Sequence, residues 1–330
     1  MELGIFLSAM SKIFETLPGQ EVPVGGIAKG LAQLWADTEL SEQKAMQLNL
    51  VLHLGLGTTP ADALVQFQVA GQLAQRYPCR VVVLCPLLED NGKIELRAKI
   101  YGECFTGKSK GDTRCIEIVA LSYPPAAKTF LQDQVSVCLS TDLPLYYWAH
   151  CFTSSKRLST YHYLLTRSQR VMFDSAIVSP DALSFAWPKL SAVRDLAYTR
   201  TLPLRQNLGQ FLSRYAPELI TTGLRSVTIR HRAQLAAEAS CLLSWVKKGL
   251  VRSGANVDAG ISFTVTPVGC AGCFSMEFTY AAPDKIFRWA ADLRKNHAEF
   301  TGDLGTGRSA LTAGAHLLTP ELSLSEAMFF

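Results

Sequence analysis

Two thiols stand three positions apart at Cys270 and Cys273, with Ala271 and Gly272 between them. That spacing can chelate zinc or interconvert between dithiol and disulfide. Zinc needs two more ligands, and the sequence has no second pair of this kind. His297 and His316 would complete a site only if the fold happened to bring them there. The same four residues also suit a hairpin turn, so a redox pair and a plain turn both stand as readings. No metal ligand set emerges from the sequence.

Gly55-Leu56-Gly57 lies between an apolar run and a helix start, where a phosphate could sit. A dinucleotide fingerprint wants a third Gly or Ala three positions after the second, and Pro60 stands there instead. A tight turn feeding a helix is the expected role and no cofactor is expected; the alternative is a nucleotide- or sugar-phosphate-binding enzyme or sensor that uses this turn and Asp174. Gly305-Thr306-Gly307-Arg308-Ser309 lacks the Gly-Lys-Ser/Thr ending of a phosphate loop and reads as a flexible loop. The chain has no Gly-x-Ser-x-Gly elbow and its six histidines are scattered, His53 on a strand and His231 at a strand–helix junction. Nucleophilic catalysis therefore finds no obvious machinery.

Two places look like binding sites. Asp174 and Ser175 close an apolar run, and the carboxyl end of such a strand faces the ligand crevice in open α/β sheets. An Asx-type turn that stops the strand is the equal alternative. Residues 194–205 pack Arg194, Asp195, Tyr198, Arg200 and Arg205 into one short stretch. Arg and Tyr are enriched at interface hot spots, and Arg can grip a carboxylate or phosphate with two bonds. Internal salt bridging that fixes a helix start would use the same residues.

The elements that must hold these residues are legible in outline. Residues 46–54 carry apolar side chains at every even position, a strand signature. Thr59 can cap a helix that begins at Pro60 and runs to about Arg76, and 80–85 follow as a buried strand, giving a βαβ unit with parallel strands. Residues 93–101 alternate with charges, so that strand is antiparallel or at an edge, with 113–121 as its neighbour. A short helix near 126–132, a strand at 135–139, strands at 143–148 and 170–173, and helices at 157–168, from Pro180, and around 204–215 are expected next. Then come a strand at 227–229, a helix over 233–248 stopped by Gly249, strands at 261–266 and 274–280, a helix carrying Ile286, Phe287, Ala290 and Leu293 on one face, and a last helix from Pro320.

The fold class is α/β: a doubly wound, mixed and mostly parallel sheet with a smaller C-terminal α+β domain. The expected division is an N-terminal helical segment over 1–45, a core over 46–250 with a possible split near 140, and a C-terminal domain over 251–330, the boundary falling in the polar stretch 252–258.

The bulk numbers agree with a globular chain. There are 330 residues, 48% of them hydrophobic and 18% charged, with a net charge of +4. Lys and Arg form no long run; 108–110 reads as a solvated loop, so neither nucleic acid nor a membrane surface is an expected partner. Nine cysteines, an odd number spread through apolar strands, suggest small buried hydrophobes in a reducing compartment, the cytoplasm. The apolar run before Lys12 is too short for a membrane span and has no leading positive charge; it reads as a packed helix.

Several segments resemble one family in order. Arg76-Tyr77-Pro78-Cys79-Arg80-Val81, Leu143-Pro144 with Trp148, Arg170-Val171-Met172-Phe173-Asp174-Ser175, and Asp195-Leu196-Ala197-Tyr198-Thr199-Arg200 followed by Pro203 and Arg205 resemble motifs of the OpcA family, the glucose-6-phosphate dehydrogenase assembly proteins. The likeness spans about 46–250. Ala149, Tyr198 and Leu204 stand where the family usually has tryptophan. The resemblance implies a non-catalytic protein that binds glucose-6-phosphate dehydrogenase and favours its active form, serving the oxidative pentose phosphate pathway and NADPH supply. On that implication Trp148, Asp174, Asp195, Tyr198, Arg200 and Arg205 are the candidate partner-binding residues, displayed on an outward-facing surface.

Overall fold

The computed structural model describes residues 12–34, 46–87, 95–106, 113–258, 260–270 and 273–330. The first eleven residues, most of the expected N-terminal helix, and the basic loop at 108–110 lie outside them. Residues 12–16 are helical. The chain forms two compact units: residues 1–195 together with 324–330, and residues 196–323.

The first unit contains β1 (Gln20–Val22), α1 (Ile27–Leu34), β2 (Leu48–Leu54), α2 (Pro60–Arg76), β3 (Cys79–Pro86), β4 (Arg97–Thr106), β5 (Thr113–Tyr123), α3 (Lys128–Cys138), β6 (Leu145–His150), α4 (Ser155–Ser159), α5 (His162–Arg167), β7 (Arg170–Phe173), α6 (Pro180–Leu183) and β8 (Val193–Asp195). Eight strands make one sheet in the order β1-β4-β5-β3-β2-β6-β7-β8. Strands β5, β3, β2, β6, β7 and β8 run parallel, and β4 is antiparallel to β5. All seven residues of β2 are buried, as a central parallel strand requires. Its polar Asn49 is satisfied by Ser140, donating to the carbonyl at 2.8 Å and accepting from the N–H at 3.1 Å.

Helix α2 starts and stops where its capping residues direct. The Thr59 side chain accepts from Asp62 N–H, Pro60 fills the first position, and the helix ends at Arg76. The expected strand at 135–139 is instead the second half of α3, which buries Leu131, Val135 and Cys138 at i, i+4 and i+7. The same apolar residues fit either period in so short a window. The expected helix over 157–168 is two short ones, α4 and α5. Lys99 is buried on β4, and its ammonium donates to the Phe14 carbonyl at 2.7 Å and the Leu17 carbonyl at 3.0 Å, the open end of the 12–16 helix.

The reading of every cysteine as a buried hydrophobe is corrected. Cys104 and Cys115 face each other across β4 and β5 and form a disulfide, as do Cys270 and Cys273. Cys79, Cys85 and Cys138 are free and buried, as expected. Strand register decides which thiols meet, and register is not visible in residue spacing.

The second unit contains α7 (Leu196–Arg200), α8 (Leu202–Leu212), α9 (Pro217–Thr221), β9 (Leu224–His231), α10 (Ala236–Arg252), β10 (Ser262–Pro267), β11 (Cys273–Tyr280), β12 (Ile286–Asp292), β13 (His297–Asp303), β14 (Ser309–Ala313) and the start of α11 (Pro320–Phe329). Its sheet order is β10-β9-β11-β12-β13-β14, with only β10 and β9 parallel. Residues 252–258 lie inside this unit, because β9 before them pairs with β10 and β11 after them. Gly249 does not stop α10, which continues to Arg252. The expected helix at 286–293 is strand β12, which buries Phe287, Trp289 and Ala291 in alternation. Gly305 and Gly307 both adopt positive φ in the turn between β13 and β14.

The end of α11 rejoins the first unit. There the Phe329 ring packs 4.5 Å from that of Tyr77 and 5.8 Å from that of Tyr146, and Ser325 Oγ lies 3.2 Å from Tyr77 Oη. Among the described residues no helix is long and apolar enough to cross a membrane.

Candidate functional site

Six parallel strands of the first unit end on one edge of its sheet, and the strand order reverses between β2 and β6. Ligands of open α/β sheets bind in the crevice at such a point. Here the backbone closes it. Gly55 N–H donates to the His150 carbonyl at 2.7 Å, and a Cβ on Gly55 would collide with the Cys151 carbonyl. A Cβ on Gly57 would lie 2.9 Å from Cys151 Sγ. These glycines permit close chain packing. The N-terminus of α2 is also occupied: Asp62 lies in its first turn and its Oδ2 is 2.6 Å from His150 Nε2. Burial alone would raise the Asp62 carboxyl, but the bonds from His150 and Gln66 and the charge of His150 outweigh it and hold it below the ordinary value. A phosphate at this helix end would meet a carboxylate already in place.

Cys151 follows β6 with φ of 50°, a strained position that often marks a reactive residue. Its thiol does not fit that role. Burial, then the charges of Asp62 and Asp174, push it upward, so it is not a thiolate at neutral pH.

Beneath the same edge lies a buried polar cluster. His53 of β2 is fully buried, with Nδ1 2.9 Å from Tyr147 Oη and Nε2 2.8 Å from Tyr123 Oη. Tyr123 Oη is 2.8 Å from Tyr161 Oη. Burial, with a smaller contribution from Lys128, lowers His53 to about 3, so it is neutral at physiological pH. Lys128 and Arg157 sit at the mouth of a small cavity of about 20 Å³ floored by His53, Tyr123 and Tyr161. Sequence reasoning did not single out Lys128, Arg157 or the tyrosines. They come from α3, α4, β5, β6 and the turn between α4 and α5, and only the rule about carboxyl strand ends would have directed attention there.

The six sequence-derived residues fall differently. Trp148, on central strand β6, is 3% exposed and cannot act as a surface anchor in this conformation. β2 and β7 pair with its strand at both edges, and all six residues of β6 are buried. Asp174 is buried, and its Oδ1 accepts from Ala176 N–H at 3.0 Å, an Asx turn of the kind foreseen. Asp195 is half-buried and accepts from Ser175 N–H at 3.1 Å and Ser175 Oγ at 2.7 Å. These three belong to the first unit.

Tyr198, Arg200 and Arg205 belong to the second unit and are half-buried. Arg200 donates through Nε at 3.0 Å and Nη2 at 2.7 Å to Oε1 of buried Glu238. Arg205 stacks 3.9 Å above the Tyr198 ring and donates to its Oη at 2.8 Å. In the expected surface Asp195 is thus held by Ser175 and Arg200 by Glu238, the internal bonding that the sequence left open, while Tyr198 and Arg205 stand half-buried against each other. Among the described residues no group of three or more His, Cys, Asp or Glu could hold a metal ion, and the Cys270 and Cys273 sulfurs are bonded to each other.

A cavity of about 810 Å³ opens at the opposite edge of this sheet. Its wall includes Val137, 75% exposed, and one helical turn-pair earlier on α3 stands Phe130, 51% exposed. Arg80 on its floor is paired with Glu117 at 2.8 Å.

Comparison with known proteins supports the resemblance for part of the chain. Residues 70–186 match a family model described as the glucose-6-phosphate dehydrogenase subunit N-terminal domain, the OpcA assembly family. A protein of Synechocystis sp. named putative OxPP cycle protein OpcA is 23% identical over 188 residues, covering 55% of this chain and 39% of that protein. The alignment therefore spans about two fifths of that relative. Three of the four motif likenesses lie within 70–186, and 195–205 lies beyond it.

Proposed function

We propose that this chain is a non-catalytic assembly factor that binds glucose-6-phosphate dehydrogenase and favours its active oligomer, acting in the cytoplasm in support of the oxidative pentose phosphate pathway and NADPH supply. The observation that carries the reading is the family match over residues 70–186. The site chemistry supports it: Cys151 is protonated, and His53 is neutral and sealed among phenols. A binding protein acts by preferring one state of its partner, and its effect is limited by that preference, typically about 1–3 kcal/mol.

Within the matched stretch, Phe130 and Val137 of α3 are the exposed apolar residues best suited to a partner. Tyr198 and Arg205 retain partial exposure as a second contact, while Trp148, Asp174, Asp195 and Arg200 hold the scaffold in place. The test measures dehydrogenase activity and oligomer size with and without the chain. A rise in both, lost in Val137→Glu, is expected; no change at micromolar chain would end the proposal.

A second reading is a thiol switch at Cys270 and Cys273, favoured by their disulfide and the exposure of Cys270. It requires that reduction alter the dehydrogenase response. Equal responses from reduced chain, oxidised chain and the double Cys→Ser variant would remove it.

A further inference from the structure

The His53 cluster has one proton more than the contacts among its own members use. Tyr147, neutral His53, Tyr123 and Tyr161 bring one donor proton each, four in all, to the three contacts Tyr147–His53, His53–Tyr123 and Tyr123–Tyr161. The chain of donors can point either way. If it points inward, the spare proton is on Tyr147, fully buried with His53 as the only partner of its hydroxyl among the described residues, and a buried donor is left unpaired. If it points outward, Tyr147 donates to Nδ1, Nε2–H donates to Tyr123, Tyr123 donates to Tyr161, and the Tyr161 hydroxyl donates outward, toward the Thr160 side chain and the cavity beside it. Tyr161 lines the cavity at the carboxyl edge of the sheet. The outward orientation is the less costly one.

Two cations stand at the same opening. Lys128 is half-buried, with its ammonium 5.7 Å from the centre of the Tyr161 ring, and Arg157 is exposed beside it. No described carboxylate pairs with either. Two like charges with an outward hydroxyl donor call for an acceptor that is negative and compact. The cavity, about 20 Å³, exceeds the roughly 10–15 Å³ that one water needs, so it takes one or two oxygens of a group and leaves the rest outside. That size excludes a buried nucleoside base.

We infer that Lys128, Arg157 and the Tyr161 hydroxyl form a binding site for a phosphate group, either inorganic phosphate or the phosphate of a small ester. The site is separate from the Gly55–Gly57 turn, where Asp62 already fills the helix end, and it stands whether or not the chain assembles a dehydrogenase.

Thermal unfolding of the full chain tests it, with inorganic phosphate, glycerol 3-phosphate or acetate, each compared with sodium chloride at equal ionic strength. Phosphate or its ester raises Tm by binding the folded state. Arg157→Gln and Lys128→Gln keep the ligand-free Tm, because each relieves repulsion, and weaken apparent phosphate affinity by roughly tenfold or more, the loss of one charge-assisted bond. Tyr161→Phe weakens it less. Whichever of phosphate and ester stabilises more identifies the source. No shift at tens of millimolar phosphate, an equal shift in wild type and Arg157→Gln, or an acetate shift as large as that of phosphate overturns the assignment. Arg157 is exposed, so its variant remains informative if Lys128→Gln fails to fold.

Discussion

The sheet of the first unit is centred on a histidine held by phenols, and the sheet of the second on phenylalanines and a tryptophan. In the second unit the rings of Phe211 and Phe300 stack 4.9 Å apart, those of Phe278 and Phe287 lie 4.7 Å apart, and Trp289 sits edge-on to Phe274 at 5.6 Å. That core depends on volume and shape, which do not change with pH. The first depends on one ring staying neutral, and its hydrogen bonds lead toward the crevice. The aromatic core of the second unit supports a surface; the histidine core of the first also carries a directed chain of hydrogen bonds to that surface.

The contrast can be tested in decreasing steps. Phe300→Ala, in the second unit, is expected to cost about 3–5 kcal/mol by urea unfolding, with the same cost at pH 7 and pH 5. A cost that changes between those two values would blur the distinction. The first unit should behave oppositely. Above about pH 6.5 His53 is neutral in both the folded and unfolded chain. Below that the unfolded chain takes the proton first, and the folded one only near pH 3, so stability is lost between the two values and no further below them. The expected slope is about 1.4 kcal/mol per pH unit. Subtracting the pH profile of His53→Gln from that of wild type isolates it, and parallel profiles would refute it.

A smaller step is Tyr161→Phe, expected to cost about 1 kcal/mol, because Tyr123 keeps its bond to His53. The smallest is Arg230→Ala. It removes an ion pair with Glu277 of 3.3 Å whose side chains are 50% and 46% exposed, and it should cost less than about 0.5 kcal/mol and vanish in high salt.

What could be read from the sequence follows the same physics. α2 was legible because capping is local: Thr59, Pro60 and the stop before Pro78 announce themselves. β12 was not, because Ile286, Phe287, Ala290 and Leu293 fit a helical face as well as Phe287, Trp289 and Ala291 fit a strand, and only pairing with β11 and β13 decides. The internal bonds of the candidate surface at 195–205 were not legible for a related reason. Arg and Tyr look the same in sequence whether they face a partner or Glu238, and Glu238 lies on α10, far along the chain. Lys128 and Arg157 were missed because topology, not spacing, brings them together.

The return of residues 324–330 to the first unit has a consequence for biosynthesis. Leu324, Ala327 and Met328 are buried, and Phe329 covers Tyr77 and Tyr146. The ribosome makes all of the second unit before it makes these residues. Until then a nascent chain lacks the cover that Phe329 gives Tyr77 and Tyr146, and a chaperone has that interval in which to hold it.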